Sequence, residues 1–272
     1  MTEVLVVVAV MASMLALGLV ANRWVRPFAK NESQGVKLEL LVSPLLTLTV
    51  LLLTFVLVQV FAGFKSSKDA AALEAGRTVY MYDLADYYED DIALPMQQAL
   101  VCYNRAVAGV EWESLADDPP ALSPVVARWG GMLDPPLKRL RTEADGQPYG
   151  ALLGADKERL DGLRLRLSQA RPAVPLQISL LLLGVSGVAI AGIAAFTLPY
   201  VSRRTQIGAL VTLTVVLGLV QVTILDLDRK YDGVIQVQPE DFRIAGQFLV
   251  TRYDERFPEV PLPCDASGRP AS

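Results

Sequence analysis

The chain has 272 residues, of which 52% are hydrophobic, and it carries two cysteines, no histidine and a formal net charge of −4. Without histidine it lacks the commonest metal ligand and general base, and two cysteines cannot build a cysteine-rich zinc site. An acidic chain without a basic stripe also argues against a nucleic-acid partner. The sequence contains no phosphate-binding glycine motif. We therefore expect no enzyme activity, no cofactor and no metal site.

Four apolar runs carry no charged residue, and each is close to the roughly 20 residues that cross a ~30 Å hydrocarbon core. The runs are Val4–Ala21, Leu41–Phe64, Val174–Leu198 and Ile207–Leu225. They predict an all-α integral membrane protein with four transmembrane helices in a lipid bilayer. The first run could instead be a signal peptide. However, no basic region precedes it, and Arg23 and Arg26 follow it, which is typical of an uncleaved anchor.

The charged residues lie between and after these runs, which divides the chain into four parts. Residues 1–64 hold helices 1 and 2, residues 65–173 form a helical extramembrane domain, residues 174–225 hold helices 3 and 4, and residues 226–272 form a tail. Within the domain, apolar spacing predicts helices over Asp69–Tyr88, Asp90–Glu113, Ser123–Leu140 and Ala155–Gln169. The tail is predicted to contain a helix, Pro239–Tyr253, and a mobile, proline-rich end.

Basic residues crowd the two short loops, 22–40 and 199–206. They are Arg23, Arg26, Lys30, Lys37, Arg203 and Arg204. Because basic short loops stay in the cytoplasm, we expect residues 65–173 and the tail on the outer face. Basic residues also flank the spans on the opposite side, Lys65 and Arg171 among them, and they weaken this orientation.

Cys102 and Cys264 are predicted to lie on the same side of the membrane. If that side is the outer one, a disulfide between them is permitted and would tie the tail to the helical domain. The alternative is two unrelated thiols, with Cys102 buried in a helix. The sequence alone does not supply the geometry that would choose between them.

The spans contain no ionisable residue, which argues against a proton relay or a voltage sensor. The second span combines polar Thr47, Thr54 and Gln59, which can replace part of an ion's hydration, with Phe55 and Phe61, which can close a narrow neck. These five residues are pore or gate candidates. Alternatively, the polar side chains bond helix to helix and the aromatic rings face lipid or core.

Three charged residues, Asp226, Asp228 and Arg229, follow the fourth span within four positions. We expect them to contact basic or backbone groups of the helical domain and to hold the tail against it. Gly233 would permit a turn there that a Cβ atom would hinder. The alternative is that all three are solvated charges at the membrane surface.

The stretch after the fourth span, residues 225–239, resembles the closing motif of the bestrophin-like family, a broad family of bacterial membrane proteins. That motif has an acidic Leu-Asp pattern, an aromatic residue, a glycine, a short apolar stretch and a proline. The matching residues are Asp226, Asp228, Tyr231, Gly233 and Pro239. Lys230 departs from the pattern, because a proline often follows the Asp-Arg pair. The insert also matches, at Glu74, Tyr80, Leu84, Ala85, Pro95, Tyr103, Val107, Glu111 and Trp112.

The resemblance covers most of the chain, since the family shares its layout of two spans, a helical insert, two spans and a tail. It implies a multi-pass protein of a bacterial plasma membrane with the fold of bestrophins, which are oligomeric anion channels with hydrophobic constrictions. It also implies structural roles for the motif residues Glu111, Trp112, Asp226, Asp228, Arg229, Gly233 and Pro239. Bestrophins keep their bulky part in the cytosol, whereas the basic loops of this chain predict the outer face.

Two functions are compatible with this reading. In the first, the chain forms a homo-oligomeric passive channel for anions, as the charge-free spans and the aromatic residues of the second span suggest. In the second, it is a non-conducting membrane scaffold or sensor. Its acidic, helical domain would then bind a protein partner or a ligand.

Overall fold

The computed structural model describes residues 2–29, 39–116, 122–143, 147–196 and 203–271, with side chains over 4–24, 43–116, 122–141, 148–196 and 204–271. Two of the basic loop residues, Lys30 and Lys37, lie outside the described residues. For Arg26 and Arg203 only the helical backbone is described.

The described residues are mostly helical. The helices are α1 (Thr2–Ala29), α2 (Glu39–Ala85), α3 (Asp90–Ala106), α4 (Trp112–Ser114), α5 (Pro124–Gly131), α6 (Asp134–Glu143), α7 (Gln147–Gln169), α8 (Leu176–Phe196), α9 (Arg203–Asp228) and α10 (Glu240–Arg256). A π-helical turn, Val107–Glu111, joins α3 to α4. No strand occurs within the described ranges, and the predicted all-α class is confirmed. Helices α1, α2, α8 and α9 are long and apolar enough to cross a membrane.

Several predicted boundaries differ from the structure. The helix predicted over Asp69–Tyr88 continues the second span, as expected, but it ends at Ala85. The helix predicted over Ser123–Leu140 is interrupted after Gly131, at the double glycine where a break is expected, and forms α5 and α6. Helix α7 begins at Gln147, earlier than predicted, because Pro148 fits a first helical turn, where its missing N–H is not needed. The last two residues of the third predicted span lie outside the described residues.

The chain divides into two compact units. The membrane unit comprises Met1–Ala62 and Ala173–Asp228, and the insert unit comprises Gly63–Pro172 and Arg229–Ser272. Helix α2 contributes to both, since the boundary falls within it.

Small residues bring α1 and α8 together in the membrane unit. A Cβ atom on Gly18 would lie 2.5 Å from the carbonyl oxygen of Ala191, and one on Gly187 would lie 2.9 Å from Cγ of Met14. The amide of Asn22 also donates to the carbonyl oxygen of Ala195 over 2.7 Å. Packing of this kind holds helices together where lipid removes the hydrophobic driving force. Helix α1 is thus an integral part of the membrane unit, which favours the anchor over the signal peptide.

Helix α3 lies in the core of the insert unit. Most of its side chains are buried, and apolar residues of α2, α6, α7 and α10 pack around it. The second apolar cluster gathers around Trp112, Trp129 and Phe242. Because α10 belongs to the tail, the core of the insert unit is complete only when the tail packs on it.

Candidate functional site

The five pore candidates of α2 are all exposed on the membrane unit. Phe55 is 64% exposed and Phe61 is 57% exposed. The hydroxyl groups of Thr47 and Thr54 donate to carbonyl oxygens one turn earlier in the same helix, at 3.1 and 2.8 Å. Gln59 is exposed as well. Because their hydroxyl groups are already hydrogen-bonded within the helix, the two threonines can face either lipid or a pore. None of the five residues is part of the core of the membrane unit.

The candidates lie on two adjacent faces of α2. A helix turns about 100° per residue, which places Thr54 and Phe61 within about 40° of Thr47. Phe55 and Gln59 lie about 80° and about 120° around the helix on the other side of Thr47. Exposed Leu51 and Val58 complete the first face. We call that face, Thr47, Leu51, Thr54, Val58 and Phe61, the α2 stripe.

Asp228 ties the end of α9 to the start of α8. Its buried carboxylate accepts hydrogen bonds from the backbone N–H groups of Ala173 at 2.8 Å and Val174 at 3.2 Å. These amides lie just before α8, where free N–H groups favour a negative charge. The partners are thus backbone groups, as expected, but they lie at the base of the third span and not on the insert helices.

The other motif residues near this point have different environments. Asp226 is half-buried on α9, and Arg229 is exposed just after it. Gly233 lies in a bend. The positive φ that a glycine permits is found instead at Gly268, where φ is +80°.

Lys230, which departs from the family motif, is buried in the insert unit. Its ammonium group donates to the carbonyl oxygens of Gln169 at 2.9 Å and Arg171 at 3.3 Å. It thus caps the C-terminal end of α7, where the helix dipole favours a cation. Gly63 lies beside it, since an added Cβ would be 3.2 Å from the lysine Cε. Sequence reasoning noted the departure but did not predict this role.

A buried ionic cluster occupies the centre of the insert unit. Arg166 donates from Nε and Nη2 to the Glu74 carboxylate at 2.9 and 3.2 Å, and from Nη2 to Glu111 at 3.2 Å. The hydroxyl of Tyr103 donates to Glu74 at 2.6 Å. The arginine and both glutamates are fully buried. One cation thus joins two carboxylates from helices far apart in the chain.

Burial and neighbouring charges both shift the pKa values of this cluster. Burial alone would lower the pKa of Arg166, but the pull of Glu74 and Glu111 outweighs it and raises that pKa above its ordinary value. Burial raises the pKa of Glu111, although Arg166 opposes the rise. Burial also raises the pKa of Tyr103 well above its ordinary value, and the neighbouring Glu74 adds to the shift. The phenol therefore stays protonated and remains a donor.

The motif residue Trp112 lies next to the ionic cluster. Its indole N–H donates to the carbonyl oxygen of Val237 at 3.0 Å, and its ring meets Tyr231 edge to face with centroids 5.3 Å apart. Pro239 precedes α10 at its N-cap position. Glu111, Trp112, Tyr231 and Pro239 are therefore buried parts of the insert core.

A disulfide joins Cys102 of α3 to Cys264 of the tail, with Cα atoms 5.8 Å apart. Residues 264–270, which we call the tail strap, form a turn closed by a bridge between Cys264 and Pro270. The indole N–H of Trp129 donates to the carbonyl oxygen of Gly268 at 2.6 Å. A Cβ on Gly268 would lie 2.2 Å from the Ala106 nitrogen. The tail end is thus packed on α3, and the prediction of a mobile end is wrong.

Comparison with known proteins agrees with this architecture. A family model described as the Bestrophin-like domain matches residues 7–242. The chain belongs to the bestrophin-like family. No curated protein matches it significantly.

Solved structures share the bestrophin fold with this chain. A single-substitution variant of a bacterial bestrophin homologue from Klebsiella pneumoniae has a TM-score of 0.70 at 10% identity, covering 90% of this chain and 98% of that chain. The zinc-phased structure of the homologue from the same organism has a TM-score of 0.65 at 12% identity, with 93% and 99% covered. A structure described as a membrane protein variant has a TM-score of 0.68 at 12% identity, with 96% and 100% covered.

Proposed function

We propose that this bestrophin-like protein is a homo-oligomeric passive channel for anions, lined by the α2 stripe. The observation that carries the proposal is the stripe itself. It is an uncharged, exposed row of threonines and apolar side chains that runs along one face of a membrane helix. Threonine hydroxyls can replace part of an ion's hydration, and Phe61 can narrow the path.

The membrane unit needs further copies to form such a path. Its close packing joins α1 to α8 through Gly18 and Gly187, and the α2 stripe takes no part in its core. A ring of copies with their stripes turned inward would enclose a pore. It would also remove the polar hydroxyl groups of the stripe from lipid.

A channel of this kind selects weakly. The stripe carries no charge, so the permeating ion is chosen by size and by the free energy of dehydration, without a ring of fixed charges. Basic residues of the short loops, Arg23 and Arg204 among them, raise the anion concentration at one mouth. Salt screens this effect, with a Debye length of about 8 Å at physiological ionic strength.

We also propose that the insert unit and the tail lie on the outer face of the bacterial plasma membrane. Two independent observations support this orientation. The short loops on the other side are basic, and the insert unit contains the Cys102–Cys264 disulfide, which persists in oxidising compartments. Family resemblance favours the opposite orientation.

Reconstitution tests conduction directly. Purified protein shown to be folded and oligomeric is fused into planar bilayers under a chloride gradient, and the reversal potential is measured. We expect currents whose reversal potential lies closer to the chloride equilibrium potential than to that of the cation. Silent bilayers would contradict the channel, and a reversal at the cation potential would contradict anion selectivity.

Labelling of intact cells tests the orientation. A membrane-impermeant maleimide is applied to two variants, Glu259→Cys in the exposed tail and Ser33→Cys in the first short loop. We expect Glu259→Cys to react in intact cells and Ser33→Cys to react only after lysis. The reverse pattern would overturn the orientation and leave the channel proposal standing.

A second candidate function is a non-conducting sensor or scaffold whose insert unit binds a partner or a ligand. It is favoured by an open cleft between α3 and α10 in that unit. Folded, oligomeric and silent protein in the bilayer experiment would favour this function.

A further inference from the structure

An open cleft of about 550 Å³ lies between α3 and α10 of the insert unit. The end of α3 and the π-helical turn line one side, α10 lines the other, and Ala266 of the tail strap also contributes. The polar and charged side chains that line it are Asn104, Arg105, Arg243, Gln247 and Thr251. Its volume is typical of small-molecule sites, which span roughly 300–1,000 Å³.

The cleft carries positive charge that its own lining does not neutralise. Arg105 donates only to backbone carbonyl oxygens, those of Cys264 at 3.5 Å and Asp265 at 3.3 Å, and no described carboxylate lies within ion-pair distance of it. Arg243 forms one long contact of 3.7 Å with exposed Glu240. The lining contains no Asp or Glu. Two guanidinium groups in such a setting match a carboxylate or a phosphate, which accept paired N–H donors.

Two glycines line the cleft, and Gly246 keeps its α10 wall open. A Cβ atom added to Gly246 of α10 would have the Cβ of Asn104 as its nearest neighbour, at 3.8 Å. Gly109 lies in the π-helical turn on the opposite wall and approaches the backbone of Ser267. Single π-helical turns occur frequently at functional sites. A larger side chain at Gly246 would occupy the space between α3 and α10, whereas one at Gly109 would meet the backbone of Ser267.

We propose that this cleft is a binding site for a small organic anion that carries a carboxylate or phosphate group. Arg105 and Arg243 hold the anionic group, and the side-chain amide of Gln247 donates to a neighbouring oxygen. The site is separate from the α2 stripe, so binding does not require conduction. The binding activity therefore stands or falls independently of the channel proposal.

Calorimetric titration of the full-length protein tests the site. The protein is reconstituted in nanodiscs of zwitterionic lipid at low salt and titrated with succinate, citrate and inorganic phosphate, and with uncharged succinamide as the control ligand. We expect saturable binding of at least one anion at millimolar concentration or below and none of succinamide. Absence of saturable binding for all three anions would overturn the proposal.

Paired variants locate the binding. Arg243→Gln removes one guanidinium and should weaken binding roughly tenfold, which corresponds to the loss of about one charge-assisted hydrogen bond. The matched control is Arg164→Gln, because Arg164 also forms an exposed contact with an acidic residue three positions away, Asp161. Equal affinities for the two variants would place the anion elsewhere and overturn the site.

Filling the cleft gives a second, independent readout. Gly246→Leu should abolish binding, whereas Gly246→Ala should retain it, because the smaller Cβ has room. Gly154→Leu is the control, at an exposed glycine of α7 with open space around it. If Gly246→Leu binds as well as Gly154→Leu, the cleft is not the site. If Gly246→Leu fails to fold, the comparison of Arg243→Gln with Arg164→Gln still tests the site.

Lipid headgroups also carry phosphate groups. One further titration therefore distinguishes a lipid headgroup from a soluble anion as the ligand. The titration is repeated in nanodiscs that contain phosphatidylglycerol. An unchanged affinity identifies a soluble anion as the ligand, and a weaker apparent affinity identifies a competing headgroup. Either result upholds anion binding by Arg105 and Arg243.

Discussion

Different interactions stabilise the interior of the membrane unit and the interior of the insert unit. In the membrane unit, Gly18 and Gly187 let helices touch, and most threonine hydroxyls bond within their own helix. One polar link between two side chains there joins Gln221 to Ser186, at 3.1 Å. In the insert unit, Arg166 joins buried carboxylates and a disulfide fixes the tail. Lipid removes the hydrophobic drive between helices, so close packing holds the membrane unit, whereas an apolar core with buried ionic and covalent links holds the insert unit.

The ionic cluster gives the largest expected effect. Arg166→Met leaves Glu74 and Glu111 buried without their cation, and we expect the insert unit to lose about 3–5 kcal/mol of unfolding free energy. Fluorescence of buried Trp112 and Trp129 during denaturation measures it. Arg164→Met removes a neighbouring exposed arginine and should cost less than about 1 kcal/mol. Similar losses for the two variants would show that the buried cluster does not hold the insert unit together.

The disulfide should come next. Cys102→Ser together with Cys264→Ser releases a link between residues 162 positions apart, and we expect a loss of about 2–4 kcal/mol in the insert unit. Denaturation of the wild type with and without a thiol reductant supplies the comparison. Reductant should lower the stability of the wild type and leave the double variant unchanged. A wild type indifferent to reductant would show that the link contributes little.

Packing in the membrane unit can be disturbed separately. Gly18→Ala places a methyl group against the backbone of Ala191 and should cost about 1–3 kcal/mol through overpacking. Gly192→Ala is the control, because no atom lies within 4 Å of its added Cβ. Thermal aggregation of the protein in detergent compares the two. If Gly18→Ala lost no more stability than Gly192→Ala, close contact between α1 and α8 would not be what stabilises the membrane unit.

A smaller effect concerns pH. Burial raises the pKa of Glu111 in the folded state. The folded protein therefore binds this proton more tightly than the unfolded chain does. The contribution of Glu111 to stability is greatest below the ordinary carboxyl pKa and falls as pH rises through the folded pKa, by at most about 1.4 kcal/mol per pH unit. In Glu111→Gln this fall should vanish from the pH profile of insert-unit stability. An unchanged profile would assign the dependence to another group.

The sequence was sufficient for the elements whose cause is local. Spans follow from uncharged length and insert helices from apolar periodicity, and both were predicted close to their observed places. The partners of Arg166 could not be predicted, because Glu74 and Glu111 are 92 and 55 residues away. One signal was available: Arg159 and Arg166 share a buried face of α7 with Leu163, and a charge on an apolar helix face requires a partner.

Other features escaped prediction for physical reasons. The π-helical turn, Val107–Glu111, covers only five residues, which is too short a stretch for its period to be recognised in the sequence. The tail end looked mobile because proline and small residues dominate it, yet Gly268 and the disulfide fix it on α3. All five pore candidates were predicted on the second span. The turn of the helix separates Phe55 and Gln59 from the stripe.

Single-channel recording of two phenylalanine variants tests the central claim most directly. Phe61 lies on the α2 stripe and Phe55 lies off it, although both are exposed on the same helix. In planar bilayers under a chloride gradient, we expect Phe61→Ala to raise conductance or open probability well above the wild type and Phe55→Ala to change them little. Equal responses from the two variants, or silent bilayers from folded oligomers of all three proteins, would contradict a channel lined by the stripe.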